Sequence, residues 1–296
     1  MRPQRSRPIR RRLAALALAA AAVFGPALGA PAAASASAMV PLPALDAAGN
    51  LQAPPRTQIS IIYTPLGIRL GTANQHESRP GLSMVKLLIG QYVVEQGSPA
   101  EIPEVTRMIR ASDDAVATRL YRRHPESIAA IAARYRLGDT VAGARWGASR
   151  TSAYDMATFL DALERRDPTG PVLTAMRHAE AIAADGYPQN FGTATLPGVT
   201  GTKFGWSDDR VSCHASASIG TGFVVGAATW GTAATHTADV RAAFPGGADA
   251  VRGLPGAIAA GSDGAGPGLP RPPAAPGIPA MPGIPGIPGA PAAARR

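Results

Sequence analysis

The chain has 296 residues, with 29 basic against 20 acidic side chains, five histidines and one cysteine. A lone Cys213 excludes an internal disulfide and a cysteine metal cluster, and His76, His124, His178, His214 and His236 show no close ligand spacing, so no metal or cofactor is expected. Six of the arginines, and no acid, fall in residues 1–38; the rest of the chain has 23 basic against 20 acidic residues, too small an excess to argue for nucleic acid.

Residues 1–38 read as a secretory signal peptide. Arginines from Arg2 to Arg12 precede the apolar run from Leu13 to Phe24, and small residues around Ala34-Ser35-Ala36 offer cleavage sites. The run is too short and too rich in alanine for a membrane anchor. The expected protein is therefore secreted or extracytoplasmic, in the cell envelope, with no membrane anchor after cleavage. Residues 39–57 are rich in Pro and Ala and read as an extended linker. Residues 246–296 collapse into Gly, Pro and Ala with repeated Gly-Ile-Pro, the composition of a disordered tail, with cell-wall contact as its candidate role. The folded domain is expected over residues 58–245.

Within that domain, the β-branched run Gln58 to Thr64 and the alternating Ile68 to Thr72 flank Pro65-Leu66-Gly67 and predict a hairpin. Pro80-Gly81 then hands over to a helix holding Ser83, apolar nearly all round from Val85 to Val94, which places it in the centre of the domain. Further helices are predicted over Ala100–Arg110, from Ala115, from Pro125 to Tyr135, from Arg150 to Leu163 and from Pro171 to Ala183. Strands follow at Val199–Trp206, Val211–Ile219 and Phe223–Trp230, and a helix from Thr235 to Phe244 closes the domain. Strands, a block of helices, an antiparallel meander and a last helix make an α+β pattern. The early hairpin is expected to join the late meander in one sheet.

Ser83 and Lys86 stand three apart on a helix, so hydroxyl and amine share one face. The chain holds only two lysines, Lys86 and Lys203, against 27 arginines. Where arginine is the default cation, a retained lysine suggests a task that requires giving up a proton.

Ser83-Met84-Val85-Lys86, then Ser112-Asp113-Asp114, then Lys203-Phe204-Gly205 resemble, in order, the S-x-x-K, S-x-N and K-T-G boxes of the penicillin-binding proteins and serine β-lactamases. The resemblance spans roughly Gln58 to Phe244 and suits a divergent secreted member of actinobacterial type. It implies an α/β/α sandwich with a mainly antiparallel five-stranded sheet and an all-helical lobe. It also implies an acyl-enzyme on Ser83, with Lys86 as base, Ser112 as proton relay and Lys203 as electrostatic support. Gly205 would admit the substrate backbone, and the N–H groups of Ser83 and Trp206 would form the oxyanion hole. The implied substrates are β-lactams or the D-Ala-D-Ala ends of peptidoglycan peptides, as for a β-lactamase or a D-alanyl-D-alanine carboxypeptidase.

The departures are specific. Asp114 stands where the pattern has Asn, and a carboxylate beside Lys86 would hold its proton on. Phe204 replaces a hydroxyl residue that would help bind a substrate carboxylate. No Glu lies between Trp146 and Thr151 to support deacylation. These favour an alternative, a degenerate member that binds wall peptide without turnover. Ser112-Asp113-Asp114 is also a good helix cap, and His214 reads as packed in a strand. A third reading, an α/β-hydrolase-type esterase with His214 or His236 as base, needs parallel βαβ units before Ser83, where only one hairpin is expected.

Overall fold

The computed structural model describes residues 40–247. The signal-peptide reading of residues 1–38, and the tail reading of residues 246–296 apart from its first two residues, lie outside them. The described strands, in chain order, are β1 (Pro41–Leu42), β2 (Thr57–Tyr63), β3 (Ile68–Gly71), β4 (Arg79–Pro80), β5 (Arg150–Thr151), β6 (Val199–Trp206), β7 (Cys213–Gly220), β8 (Phe223–Trp230) and β9 (Gly246–Gly247). The helices are α1 (Lys86–Gln96), α2 (Ile102–Arg110), α3 (Asp114–Arg123), α4 (Ser127–Tyr135), α5 (Ala153–Arg166), α6 (Pro171–Arg177) and α7 (Ala233–Ala243).

Five strands form one antiparallel sheet in the order β3-β2-β8-β7-β6, so the early hairpin does join the late meander, and β6 is an edge strand. Period-two alternation gives the sheet two different faces. Ile62, Val224, Ala215, Ala217 and Ile219 pack with α1 to α6 in the larger core. Ile59, Ile61, Tyr63, Phe223 and Val225 pack with Val240 and Phe244 of the α7 segment on the opposite, rear face. Two helical layers with a sheet between them, and a helical lobe beside it, complete the α+β architecture. Gly226 lets α5 lie close on the sheet, since a Cβ there would meet Ala153 O at 2.8 Å and Met156 Cβ at 3.1 Å.

Local chemistry sets the helix starts. Ser152 accepts from Asp155 N at the head of α5, and Thr232 from Thr235 N at the head of α7. Every residue of α1 from Lys86 to Gln91 is buried, as its apolar run requires.

Three boundaries differ from the expected ones. Over residues 40–57 the expected extended linker is instead packed on the domain: β1 pairs with β9, Ala44 N donates to Ala243 O at 2.8 Å, and Leu51 is buried with Ile59 and Ile61. An apolar side chain such as Leu51 is stabilised by leaving water. The fold correspondingly extends to Gly247, two residues past the expected end. Helix α6 stops at Arg177, six residues early, because the backbone from Glu180 to Ala184 bonds across to Arg110 and Ala111 instead of continuing the helix.

Candidate active site

Ser83 sits in a 3-10 turn, Leu82–Val85, that runs directly into α1. Leu82 holds φ at +48°, a left-handed conformation unusual for leucine. The turn is braced by Gly81 N donating to Ser149 O at 2.8 Å. Lys86, one turn on, is wholly buried.

Ser112 lies between α2 and α3 and also takes a left-handed φ of +52°. Asp113 caps α3, accepting from Val116 N at 3.0 Å, so the helix-cap reading and the site reading of Ser112-Asp113-Asp114 hold together. The turn presents both oxygens of Ser112 to Lys86, whose Nζ donates to Ser112 O at 2.6 Å and to Ser112 Oγ at 3.3 Å. Lys86 also makes an ion pair with Asp114 Oδ1, and the Trp146 ring centroid lies 4.7 Å from Nζ. The described hydrogen bonds of Lys86 go to these groups and not to Ser83 Oγ.

Lys203 arrives from β6. It pairs across the sheet with Ala217 and therefore shares the helical-lobe face, where Nζ donates to Ser112 Oγ at 2.8 Å and to Phe204 O at 2.9 Å. The two lysines of the chain thus converge on one hydroxyl. Phe204 pairs with Ser216 and points to the rear face, buried edge-on against Phe191 at 5.1 Å between centroids. The departure at Phe204 is a packing residue on the far side of the strand.

Gly205 brings β6 against the nucleophile turn; a Cβ there would meet Leu82 Cβ at 2.9 Å and Ser83 N at 3.1 Å. Ser207 N donates inward to Cys213 O at 2.9 Å, so by alternation the N–H of Trp206 faces off the sheet edge. Ser83, Asp114 and Trp206 line a cleft of about 320 Å³ together with Leu82, Trp146, Gly147, Asp185, Asp208 and Arg210.

The electrostatics are those of buried cations with one counter-charge. Burial pulls the Lys86 ammonium below its ordinary range, and Asp114 works against that shift. Lys203 is pulled well below its ordinary range by burial and then by the neighbouring Lys86. Asp114 is 66% exposed, so water screens its charge.

Its likeness is to β-lactamases and penicillin-binding proteins. Similar solved structures include a β-lactamase from Streptosporangium roseum, at 14% identity and TM-score 0.48, covering 64% of this chain and 91% of that one. A D-alanyl-D-alanine carboxypeptidase from Mycobacterium tuberculosis is similar at 15% identity and TM-score 0.48, covering 69% of this chain and 95% of that one. Penicillin-binding protein D2 from Listeria monocytogenes, in its cefotaxime-bound form, is similar at 15% identity and TM-score 0.48, covering 64% and 95%. No family model and no curated protein matches the chain. At such identities and scores the likeness decides nothing about chemistry, which has to come from the residues themselves.

All seven residues singled out in the sequence therefore lie in or beside one cleft. The other lining residues were not singled out as site residues, Trp146, Asp185, Asp208 and Arg210 among them. Asp185 accepts from Trp206 Nε1 at 3.1 Å and pairs with Arg210 at 3.6 Å. Their signal was too faint to find, since an Asp-Gly loop and a turn arginine look alike wherever they occur. The histidines are elsewhere. His214 is bonded to Tyr187 OH and Gly231 O, and His236 to Ser216 and Thr229. The strands of the main sheet all pair antiparallel, so the βαβ frame of the esterase alternative is not what holds Ser83.

Among the described residues, no group of three or more His, Cys, Asp or Glu side chains is placed to hold a metal ion, and no helix is long and apolar enough to cross a membrane.

Proposed function

We propose that the protein is an exported serine hydrolase or acyltransferase that forms an acyl-enzyme on Ser83 and acts on β-lactams or peptidoglycan D-Ala-D-Ala peptides. The observation that carries this reading is the convergence of Lys86, one turn on from Ser83, and Lys203, both fully buried, on the hydroxyl of Ser112. A structural role alone gives no reason to enclose two ammonium groups around one hydroxyl, because burying charge is costly unless it is fully paired.

In this reading Ser83 Oγ attacks the carbonyl carbon, and the deprotonated form of Lys86, which burial favours over the ammonium, takes the hydroxyl proton. The carbonyl electrons move onto oxygen, held by the N–H groups of Ser83 and Trp206. As the C–N bond breaks, the amine leaves with a proton from Ser112, which the protonated Lys86 replaces across their existing contact. Lys203 keeps Ser112 oriented and favours negative charge in the cleft. Water then hydrolyses the ester, or an amine acceptor takes the acyl group.

The test is a mass adduct. Incubation with a penicillin should add the mass of the intact ligand to Ser83, and Ser83→Ala should abolish the adduct. Hydrolysis of a chromogenic cephalosporin on top of that adduct marks a β-lactamase; a stable adduct marks the penicillin-binding type. No adduct and no esterase activity at any pH overturns the proposal.

One observation favours a second reading. Lys86 is engaged by Asp114 rather than by Ser83 Oγ, the arrangement of a site that binds wall peptide without turnover. Saturable binding of such a peptide, unaffected by Ser83→Ala and without acylation, would select it.

A further inference from the structure

The loop between α6 and β6 touches both walls of the cleft. On the helical-lobe side it grips the backbone that leads into Ser112. Glu180 N donates to Arg110 O at 3.0 Å, and Ala184 N to Ala111 O at 2.7 Å. Gln189 Nε2 donates to Arg110 O at 2.9 Å and to Glu180 O at 2.7 Å. Gln189 is buried, and its Oε1 has no partner, so this side chain is held as a pure double donor. A glutamate would turn a carboxylate toward two carbonyls and could donate to neither.

On the sheet side the same loop holds Trp206. The Tyr187 ring stacks on the Trp206 ring at 4.7 Å between centroids, and Asp185 takes its Nε1–H. Tyr187 is fixed in turn by a 2.8 Å bond between its hydroxyl and His214 Nε2. Ser112 needs such a brace. It is a non-glycine residue in a left-handed turn, a conformation that persists only where its surroundings impose it.

We infer that this loop is a clasp, and that Gln189 is a positioning residue that holds Ser112 in register with Lys86, Lys203 and Trp206. The inference rests on the proposed function for its meaning, since Ser112 is the proton relay there. The placement of Ser112 against the lysines can be measured without any turnover. Gln189 touches neither lysine; it acts through Arg110 O and the turn that follows.

The experiment uses the chain's two lysines. Growth on isotope-labelled lysine gives two side-chain sites whose carbon and nitrogen shifts report protonation. In Gln189→Glu, Ser112 slips and its oxygens withdraw from both ammonium groups, so the midpoints of Lys86 and Lys203 should fall by about one pH unit, the scale of one lost hydrogen bond to a charged group. Gln189→Met, of similar length and without a donor, should do the same and guards against a variant that fails to fold. Ser216→Ala, on the other face of the sheet, should leave both midpoints in place. Unchanged midpoints in a folded Gln189 variant overturn the inference, and so does an equal shift in Ser216→Ala. If the wild-type protein acylates nothing, the proposed function falls while the lysine titration still decides the clasp.

Discussion

On the rear face of the sheet, His236 is enclosed with both ring nitrogens bonded, Nε2 to Ser216 Oγ and Nδ1 to Thr229 Oγ1, each at 2.8 Å. The network continues from Thr229 to Thr57 and on to Asp239, which is clamped by Arg56 through two 2.8 Å bonds. On the helical-lobe face of the same sheet, Lys86 and Lys203 are equally enclosed, yet they share one hydroxyl, and among the described residues Asp114 is the one carboxylate bonded to either. The rear network has the residue types of a Ser–His–Asp triad. Its serine, however, is fully enclosed and accepts from Thr193 N at 2.8 Å, and its histidine is kept neutral by burial, which pushes it down to about 3. Residue types alone therefore do not locate a reactive site. The satisfied, neutral cluster is the structural one, while the cluster with unmatched charge, a left-handed serine and an open cleft has the features of chemistry.

The largest expected effect separates the two faces. Lys203→Met should lower the rate of Ser83 acylation by about 10²–10³-fold, the scale of removing one preorganised electrostatic contact. Stability should be unchanged or higher by about 1–4 kcal/mol, because a buried, poorly paired cation is replaced by apolar volume. Ser216→Ala should do the reverse, destabilising by about 1–3 kcal/mol through the unpartnered groups it leaves, with acylation by the folded protein unchanged. Denaturant melts alongside adduct kinetics read both quantities. If Ser216→Ala slows acylation as strongly as Lys203→Met, the division of labour between the faces is wrong.

Two glycines repeat the contrast at smaller amplitude. Gly205→Ala puts a Cβ against Leu82 Cβ and Ser83 N, separating the edge strand from the nucleophile turn. Acylation should fall by about 10²-fold, as for a displacement of about 1 Å at a reacting centre. Gly226→Ala meets Ala153 O and Met156 Cβ under α5 and should cost about 1–3 kcal/mol of stability through overpacking, with no specific loss of acylation. A drop in acylation by Gly226→Ala that outlasts correction for unfolded protein would show that the core couples to the cleft.

The sequence carried much of this, for identifiable reasons. Lys86 and Lys203 stand out because they are the only lysines, and period-two alternation puts Lys203 and Phe204 on opposite faces of β6 once the strand is recognised. The strand order follows from a hairpin and a meander that each need a partner. What stayed illegible depended on contacts distant in sequence. The Lys86–Asp114 pair spans 28 residues, and the Gln189–Arg110 bond spans 79. The early end of α6 was hidden for the same reason, since residues 178–183 look helical until Arg110 and Ala111 offer their carbonyls. The rear triad look-alike was also invisible, because Ser216, His236 and Asp239 meet only after the sheet and α7 are assembled.

The pH dependence of stability should have the same sign on the two faces but fall in different windows. His236 has an ordinary value of 6.5 and sits at about 3 when folded, so the unfolded chain takes up its proton first on acidification. Its contribution is whole above pH 6.5 and is lost as pH falls from 6.5 toward 3. Lys203 is depressed below its ordinary 10.5, so the unfolded chain again binds the extra proton, here in the window beneath 10.5. Wild-type stability relative to Lys203→Met should therefore rise as pH climbs toward 10.5. Cys213, raised to about 11 from an ordinary 9.0, opposes the rise above pH 9.0 in both proteins and cancels in the difference. A flat difference across that range would mean that burial does not depress the Lys203 ammonium below its ordinary value.

The smallest effect tests the base itself. Asp114→Asn keeps an acceptor for Lys86 Nζ and removes the charge that works against its desolvation. With that charge gone the Lys86 value falls further, and more of the amine is neutral at any given pH. The ascending limb of the acylation profile should move to lower pH, by less than about one unit, since a side chain so exposed is screened by water. Acylation near neutrality should then be faster than in the wild-type protein. A profile that moves to higher pH, or a variant slower throughout, would mean that Asp114 helps rather than restrains Lys86, and that the carboxylate takes part in moving the Ser83 proton.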